Sequence, residues 1–401
     1  MKNKIYRDPK NILIATSMLT PPDNTGSGRR LINYLEYFTE NYGTKCIIAT
    51  TSNFYSKNII KYNYPIWPKY LLIKIPFLYK IFSYPLSLLE IFLWMPLSII
   101  NSIILLSKYP RASILVSSAK CPIGLTLIFI CILINRKYCL GTTLNKYDDE
   151  LTLLNSKLSF LYALMIKNAK HFILISPALD SVKYSLSGSK VLIANGIRIK
   201  KSINNHNDFD KKKIREKLGI PNRFTLINVG KISNRKNSIE IFKLINYLKN
   251  NGIFVNLISL GPFDFKNDSY AKECHKYIEE KSLKEFIFNF GYVNDTEDFY
   301  KASNIYVSSS LSEGFPNAII EAMSYSLPPV HYYLLKTSEY ILGDFLVKEL
   351  TYNNNLDFYR IIRNLIKDKK KCIDLGMKNQ EKVKDFDIKN IIPKYKEILF
   401  D

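Results

Sequence analysis

Apolar runs of strand length alternate along this chain with segments whose apolar residues recur at helical spacing. The first run, NILIATSM (11–18), leads through the turn TPPDNTGSG into RRLINYLEYFTENYG, where Leu31, Leu35 and Phe38 share one helical face. KCIIATT (45–51), ASILVSS (112–118), a helix over 123–134, KYCLGTT (137–143), HFILIS (171–176) and KVLIAN (190–195) continue the series. Strands without a polar face are buried on both sides, and the helices between them supply the crossovers that parallel pairing needs. The pattern predicts an α/β fold with doubly wound parallel sheets.

A polar, lysine-rich stretch, RIKKSINNHNDFDKKKIREKL (198–218), interrupts this rhythm and is the expected domain boundary. The series then restarts with RFTLINVGK, a helix over 238–250, FVNLISLG, a helix over 269–282, FIFNFG and NIYVSSS. A length of 401 residues suits two domains. They are expected at 1–200 and 201–385, with the amphipathic segment 386–401 docking back on the first. Open α/β sheets bind ligands at the carboxyl ends of their strands, so two in series imply a cleft walled by both sets of loops.

Lysine and arginine total 57 against 35 acids, a net charge of +22, which implies an anionic partner: nucleic acid, an anionic membrane or a phosphorylated substrate. Between 41 and 147 there are 12 cations and a single acid, Glu90. Segment 54–82 carries Lys57, Lys61, Lys69, Lys74 and Lys80 among aromatic residues that include Trp67. It is either a long surface loop or a contact with anionic lipid, and rings at headgroup level beside lysines favour the second.

Pro85 to Leu106 is interrupted by Glu90, Pro96 and Asn101, and 123–134 is too short to span, so both are expected to be buried helices. The apolar run near the N-terminus contains Thr16 and Ser17 and lacks a small-residue cleavage site; it reads as a first strand of a cytoplasmic protein. Cysteines at 46, 121, 131, 139, 274 and 372 show no Cys-x-x-Cys pair, which argues against disulfides or zinc.

The string NIYVSSSLSEGFPNAIIEAMSYSLPPV (304–330) carries the most chemical information. A strand runs into a loop holding Glu313 and Gly314, and Pro316 follows at a helix start, where its missing N–H costs nothing. Gly314 permits close approach of a ligand, and free N–H groups at a helix start favour phosphate. Glu321 lies eight residues after Glu313, about two helical turns along. As a loop acid, Glu313 is expected to be exposed and to contribute little to stability.

This string resembles the Glu-x7-Glu region of the family 4 glycosyltransferases, retaining enzymes of the GT-B fold, in which two Rossmann-like domains face each other. EGFPNAIIEAM looks especially like bacterial enzymes that build surface polysaccharides, and the likeness is strongest over 220–330. It implies that Glu313 contacts hydroxyls of a donor sugar and Glu321 the nucleotide ribose, with Gly314, Phe315 and Pro316 completing the donor loop.

NVGKISNRKN (228–237) is similar to the family's Gly-Arg-Leu-x-x-x-Lys motif, whose two cations hold the donor diphosphate; the matching positions are Lys231 and Lys236. Both would stabilise charge on the leaving group. Lysine replaces the usual arginine, giving a point charge in place of a fork, and Arg235 could supply the fork. Gly26 and Gly28 match the glycine-rich first loop, and FNFGYVND (288–295) resembles the nucleobase segment, which makes Tyr292 and Val293 candidates. Asn195-Gly196-Ile197 looks like the family's turn near the domain crossover.

Departures from the family pattern are also visible. The loop after the fourth strand reads Gly141-Thr142-Thr143 without the histidine many relatives have, Ser326 stands where glycine is usual, and Leu335-Lys336 replaces a glycine pair. The implied activity is transfer, with retention, of a hexose or N-acetylhexosamine from a nucleotide diphosphate sugar, UDP-linked by preference, to a lipid-diphosphate-linked glycan in bacterial O-antigen or capsule synthesis. No cofactor and no obligatory metal are implied, and the expected location is the inner face of the cytoplasmic membrane. A GT-B nucleotide-sugar epimerase and a basic nucleic-acid-binding protein are the alternatives; nucleic-acid signatures are missing from the sequence.

Overall fold

The chain divides into two units, Met1–Gly196 with Ile388–Asp401, and Ile197–Asp387. The computed structural model describes residues 11–16, 26–51, 56–64, 94–117, 122–141, 159–181, 188–199 and 208–401. In the first unit these form β1 (Ile12–Thr16), α1 (Gly26–Tyr42), β2 (Lys45–Thr50), β3 (Ile59–Asn63), α2 (Met95–Lys108), β4 (Ser113–Val116), α3 (Pro122–Leu133), β5 (Cys139–Gly141), α4 (Ser159–Asn168), β6 (His171–Leu174) and β7 (Ser189–Leu192). In the second they form α5 (Asp208–Lys217), β8 (Phe224–Val229), α6 (Ser238–Asn250), β9 (Val255–Leu260), α7 (Ser269–Glu280), β10 (Ile287–Gly291), α8 (Glu297–Ala302), β11 (Ile305–Ser308), α9 (Asn317–Ser324), β12 (Pro329–Tyr332), α10 (Lys336–Leu350), β13 (Thr351–Tyr352), α11 (Asn355–Lys367) and α12 (Lys369–Lys382). Helix α13 (Ile388–Phe400) returns to the first unit.

The first sheet has the order β3-β2-β1-β4-β5-β6-β7, with every pair parallel. Leu13, Ile14 and Ala15 of β1 and Ile47 and Ile48 of β2 are fully buried, as their unbroken apolar runs require. β3 was not visible as a run because only Ile59 of IIKYN is buried; it is an edge strand, and Lys61, opposite Ile48, is an edge-strand lysine of the kind that discourages further pairing.

Helix α1 buries Leu31, Tyr34, Leu35 and Phe38, and α13 packs on it. The Tyr34 and Tyr395 rings lie 5.4 Å apart, the Phe38 and Phe400 rings 6.0 Å apart, and Ser113 Oγ donates to the Leu399 carbonyl at 2.6 Å. The expected docking of the C-terminal helix on the first unit is therefore found. Gly196 owes its place to this packing: its N–H donates to Tyr34 Oη at 2.6 Å, and a Cβ there would meet the Ile391 side chain at 3.0 Å.

Two expectations need correction. Gly26 and Gly28 are not in a loop but in the first turn of α1, which starts three residues earlier than its apolar spacing suggests. Helices α2 and α3 are not buried: each turns one apolar face outward. Helix α5 occupies the second half of the stretch 198–218. Lys211 Nζ donates to the Ser303 carbonyl at 2.6 Å and Arg215 Nε to that of Ala302 at 2.9 Å. These buried cations satisfy the carbonyls at the C-terminus of α8, where a helix end favours positive charge. One lysine and one arginine of this basic stretch thus serve as caps.

The second sheet has the order β10-β9-β8-β11-β12-β13, again all parallel. Connections run one way from β8 to β10 and the other way from β11 to β13. Neighbouring strands β8 and β11 thus flank the switch point, where the loops leaving them diverge and open a crevice.

Candidate active site

The segments leaving β8 and β11 are Gly230–Asn237 and Ser309–Pro316, and hydrogen bonds join them. Ser309 Oγ lies 2.7 Å from the Asn237 carbonyl and 3.0 Å from that of Lys236; Leu311 N donates to the Arg235 carbonyl at 3.1 Å. Arg235 Nη1 donates to the Ser312 carbonyl at 2.7 Å. These bonds fix two loops that are remote in sequence as one surface.

Glu313 stands at its centre. One carboxylate oxygen is 2.5 Å from Lys236 Nζ and the other 3.2 Å from Arg235 Nη1. Its side chain is only 10% exposed, which corrects the expectation of an exposed loop acid. Burial pushes its pKa up, but Lys236 and Arg235 outweigh burial and hold it below the ordinary carboxylate value. Two cations on one acid leave a local charge of +1, suited to an anionic ligand.

Lys231 is placed otherwise. Its Nζ lies 3.2 Å from Asp268 Oδ2, with the lysine side chain 55% exposed. Asp268 is the N-cap of α7 and accepts from the backbone N–H groups of Tyr270 and Ala271. Thus Lys236, Arg235 and Glu313 come together, while Lys231 belongs to a neighbouring pair. Asp268 was missed by sequence reasoning; an Asp just before an expected helix was the available signal.

Glu321 is on α9, partly buried, and accepts from Tyr300 Oη at 3.1 Å. The Tyr300 ring stacks on Tyr325 at 5.2 Å. Tyr306 of β11 is buried near both acids: burial raises its pKa most, Glu313 and Glu321 raise it further, and a hydrogen bond with Ser308 opposes them. Both tyrosines are functional candidates that no motif announced.

Glycines carry the backbone across the carboxyl edge of the sheet. Gly230 N donates to the Leu260 carbonyl and Gly261 N to that of Gly291, each at 2.7 Å. Gly261 has φ +134°, and a Cβ on it would lie 2.3 Å from the Gly230 carbonyl oxygen, so no other residue fits. Tyr292 and Val293 follow Gly291 on this edge, Tyr292 exposed. Phe315 is buried with its ring 5.8 Å from Phe386, and Pro316 precedes the first residue of α9. The N–H of Asn317 is occupied by the Phe315 carbonyl at 3.0 Å.

Of the departures, Ser326 has φ +56° and Leu335 has φ +50° with ψ −147°. Both conformations favour glycine, the residue expected at these places. Trp67, Lys69, Lys74, Lys80, Thr142 and Thr143 lie outside the described residues, whereas Lys57 is exposed and Lys61 is on β3. The five described cysteines are buried and unbridged; Cys121 lies outside the described residues. Among the described residues no group of three His, Cys, Asp or Glu side chains gathers as a metal site, and no helix is long and apolar enough to cross a membrane.

Residues 210–382 match the family model described as Glycosyl transferases group 1. The chain is 26% identical over 211 residues to an uncharacterized glycosyltransferase of Methanocaldococcus jannaschii, covering 44% of this chain and 49% of that protein. It is 31% identical over 141 residues to the UDP-Gal:alpha-D-GlcNAc-diphosphoundecaprenol alpha-1,3-galactosyltransferase of Escherichia coli, covering 34% of this chain and 35% of that one. The matched segment thus spans half or less of either relative. Among solved structures, Anabaena HepE in complex with UDP and glucose superposes with a TM-score of 0.73 at 17% identity, over 97% of this chain and 99% of that one. The fold is accordingly GT-B, with two doubly wound α/β units, as the sequence led one to expect.

Proposed function

We propose that this chain is a retaining glycosyltransferase that moves a hexose or N-acetylhexosamine from a nucleotide diphosphate sugar, UDP-linked by preference, to a lipid-diphosphate-linked glycan. The observation that carries this is the Arg235–Lys236–Glu313 cluster at the carboxyl edge between β8 and β11. The family match over the same segment and the named activity of the Escherichia coli relative support it. The UDP bound by HepE supports the choice of donor.

In this reading Lys236, joined by Lys231, holds the diphosphate, and Glu313 orients the sugar hydroxyls. Glu321 takes the ribose, and the edge at Tyr292 and Val293 takes the base. Gly26 and Gly28, in the first turn of α1, are assigned to the phosphate or the acceptor. The bond from the anomeric carbon to the diphosphate oxygen breaks, and the acceptor oxygen bonds to that carbon on the same face. The acceptor proton passes to the departing phosphate oxygen. The cations stabilise negative charge as it develops on the leaving group, the electrostatic contribution expected of preorganised donors. The reading needs neither cofactor nor metal. A role in O-antigen or capsule synthesis, on the cytoplasmic face of the membrane, fits the acceptor class.

A panel of UDP-hexoses and UDP-N-acetylhexosamines offered with bacterial lipid extract tests the proposal. Acceptor-dependent release of UDP from one donor, lost in Lys236→Met, is the expected result. A folded protein that releases UDP from none of them overturns it.

A further inference from the structure

Helices α2 and α3 are apolar on their outward face as well as on the face they bury. Ser98 and Ser102 of α2 and Thr126 of α3 are buried, and the two helices pack on each other. Ser102 Oγ donates to the Ser98 carbonyl at 2.9 Å and lies 3.3 Å from Thr126 Oγ1, while Tyr64 Oη lies 2.9 Å from Ser102 Oγ. Leu105 and Leu106 of α2 and Leu127 and Ile128 of α3 are buried as well, yet a second set of large apolar side chains faces outward. Leu97, Ile100 and Ile104 of α2 and Leu125, Phe129 and Leu133 of α3 are between 37% and 65% exposed. Their spacing puts one stripe on each helix. Scattered exposed leucines need no explanation, but two stripes on adjacent helices mark an interaction surface.

The charge around this face says what it meets. Arg136, just beyond α3, donates to the carbonyls of Leu106, Tyr109 and Ala112 at 3.3, 2.9 and 2.7 Å, so the two helices end side by side. Lys108, Arg111 and Lys137 are exposed at that shared end. No acid occurs in 94–117 or 122–141. A protein partner would need its own acidic patch to match, whereas an anionic bilayer presents acyl chains beneath phosphates as a matter of course. With 14 and 12 residues, the helices are about 21 and 18 Å long, short of a hydrocarbon core of about 30 Å. They can lie in the interface but cannot span it.

We propose that the outward face of α2 and α3 seats the chain on an anionic lipid surface, with the two apolar stripes at the acyl boundary and Lys108, Arg111 and Lys137 on headgroup phosphates. The purpose of this seat rests on the lipid-linked acceptor proposed above; its existence does not. It adds to the membrane contact expected of the lysines of 54–82 a face whose main contribution is apolar.

The test is sedimentation of the full chain with phosphatidylcholine vesicles, with and without phosphatidylglycerol. Wild type should bind the mixed vesicles and only weakly the neutral ones. The variant Ile100→Gln, Ile104→Gln, Phe129→Gln, Leu133→Gln changes exposed side chains only and should bind at least about tenfold more weakly while melting as wild type does. Exchanging Lys108, Arg111 and Lys137 for Ser should remove the preference for phosphatidylglycerol. Unchanged binding by the four-site variant overturns the proposal. So does a wild type that ignores vesicles, including one that self-associates through this face instead. Sugar transfer without vesicle binding would leave the proposed function standing and sink the seat; vesicle binding without transfer would do the reverse.

Discussion

Lys236 and Glu313 are 77 residues apart in sequence and 2.5 Å apart in space, joined where β8 and β11 release their loops. The cation assigned to the diphosphate is thus held by the acid assigned to the sugar. With Arg235 on the second oxygen, the three side chains hold one another in place. Mutual support of this kind limits the reorganisation that binding must impose.

Glu313→Ala should separate two effects that an exposed acid would not show. Removal of the carboxylate leaves Lys236 and Arg235 without their counter-charge, and a loss of about 1–3 kcal/mol in urea unfolding is expected, below the fully buried case because both cations are partly exposed. Transfer should be abolished in Glu313→Ala and in the gentler Glu313→Gln alike. A Glu313→Ala protein as stable as wild type would show that the ion pairs contribute nothing.

Tyr300→Phe removes one hydroxyl, the one that donates to Glu321, and leaves the ring stacked on Tyr325. A stability loss of about 1 kcal/mol is expected from the buried hydrogen bond. If Glu321 binds ribose, the KM for donor should rise several-fold with kcat little changed, because the binding lost is common to ground and transition states. A fall in kcat alone would place Glu321 elsewhere in the mechanism.

Leu335→Gly and Ser326→Gly should each raise the melting temperature. Both residues hold positive φ, and Leu335 at ψ −147° lies where side chains are strained by on the order of 1–3 kcal/mol. Glycine relieves that strain at an entropic cost of about 1 kcal/mol in the unfolded chain, so the gain should be larger at Leu335. A destabilised Leu335→Gly would mean that the side chain makes contacts worth more than the strain.

His331 should make stability pH-dependent. Nδ1–H donates to the Pro329 carbonyl and Nε2 accepts from Ser338 Oγ, so the ring is buried in its neutral form. Burial pulls its pKa from 6.5 down to about 4. Between those values the unfolded chain binds a proton that the folded chain refuses, so stability falls as pH falls through the window. At about 1.4 kcal/mol per pKa unit the loss is on the order of a few kcal/mol. Melting across this pH range should be less steep in His331→Gln; an identical slope would mean that the imidazole is accommodated as a cation.

Strands buried on both faces announced themselves, because β1, β2, β4, β8, β9 and β11 each carry an apolar run. β12 did not, since it begins at Pro329 and contains His331, whose burial depends on Ser338 seven residues away. β3 hid because an edge strand needs little apolar sequence. Glu313 and Lys236 were legible from motif strings, but the partners of Lys231 and Glu321 were not. Asp268 and Tyr300 reach them only through tertiary packing. The outward faces of α2 and α3 were invisible for a different reason: helices apolar all round give no periodicity from which to tell inside from outside.

Calorimetric titration of UDP into the wild-type chain and into Lys236→Gln asks whether this cluster is a nucleotide-sugar site. Wild type should bind, and Lys236→Gln should bind at least about tenfold more weakly, since a charge-assisted bond to phosphate contributes about 1.5–3 kcal/mol. Equal affinity in the two proteins, or no binding by folded wild type, would contradict the assignment.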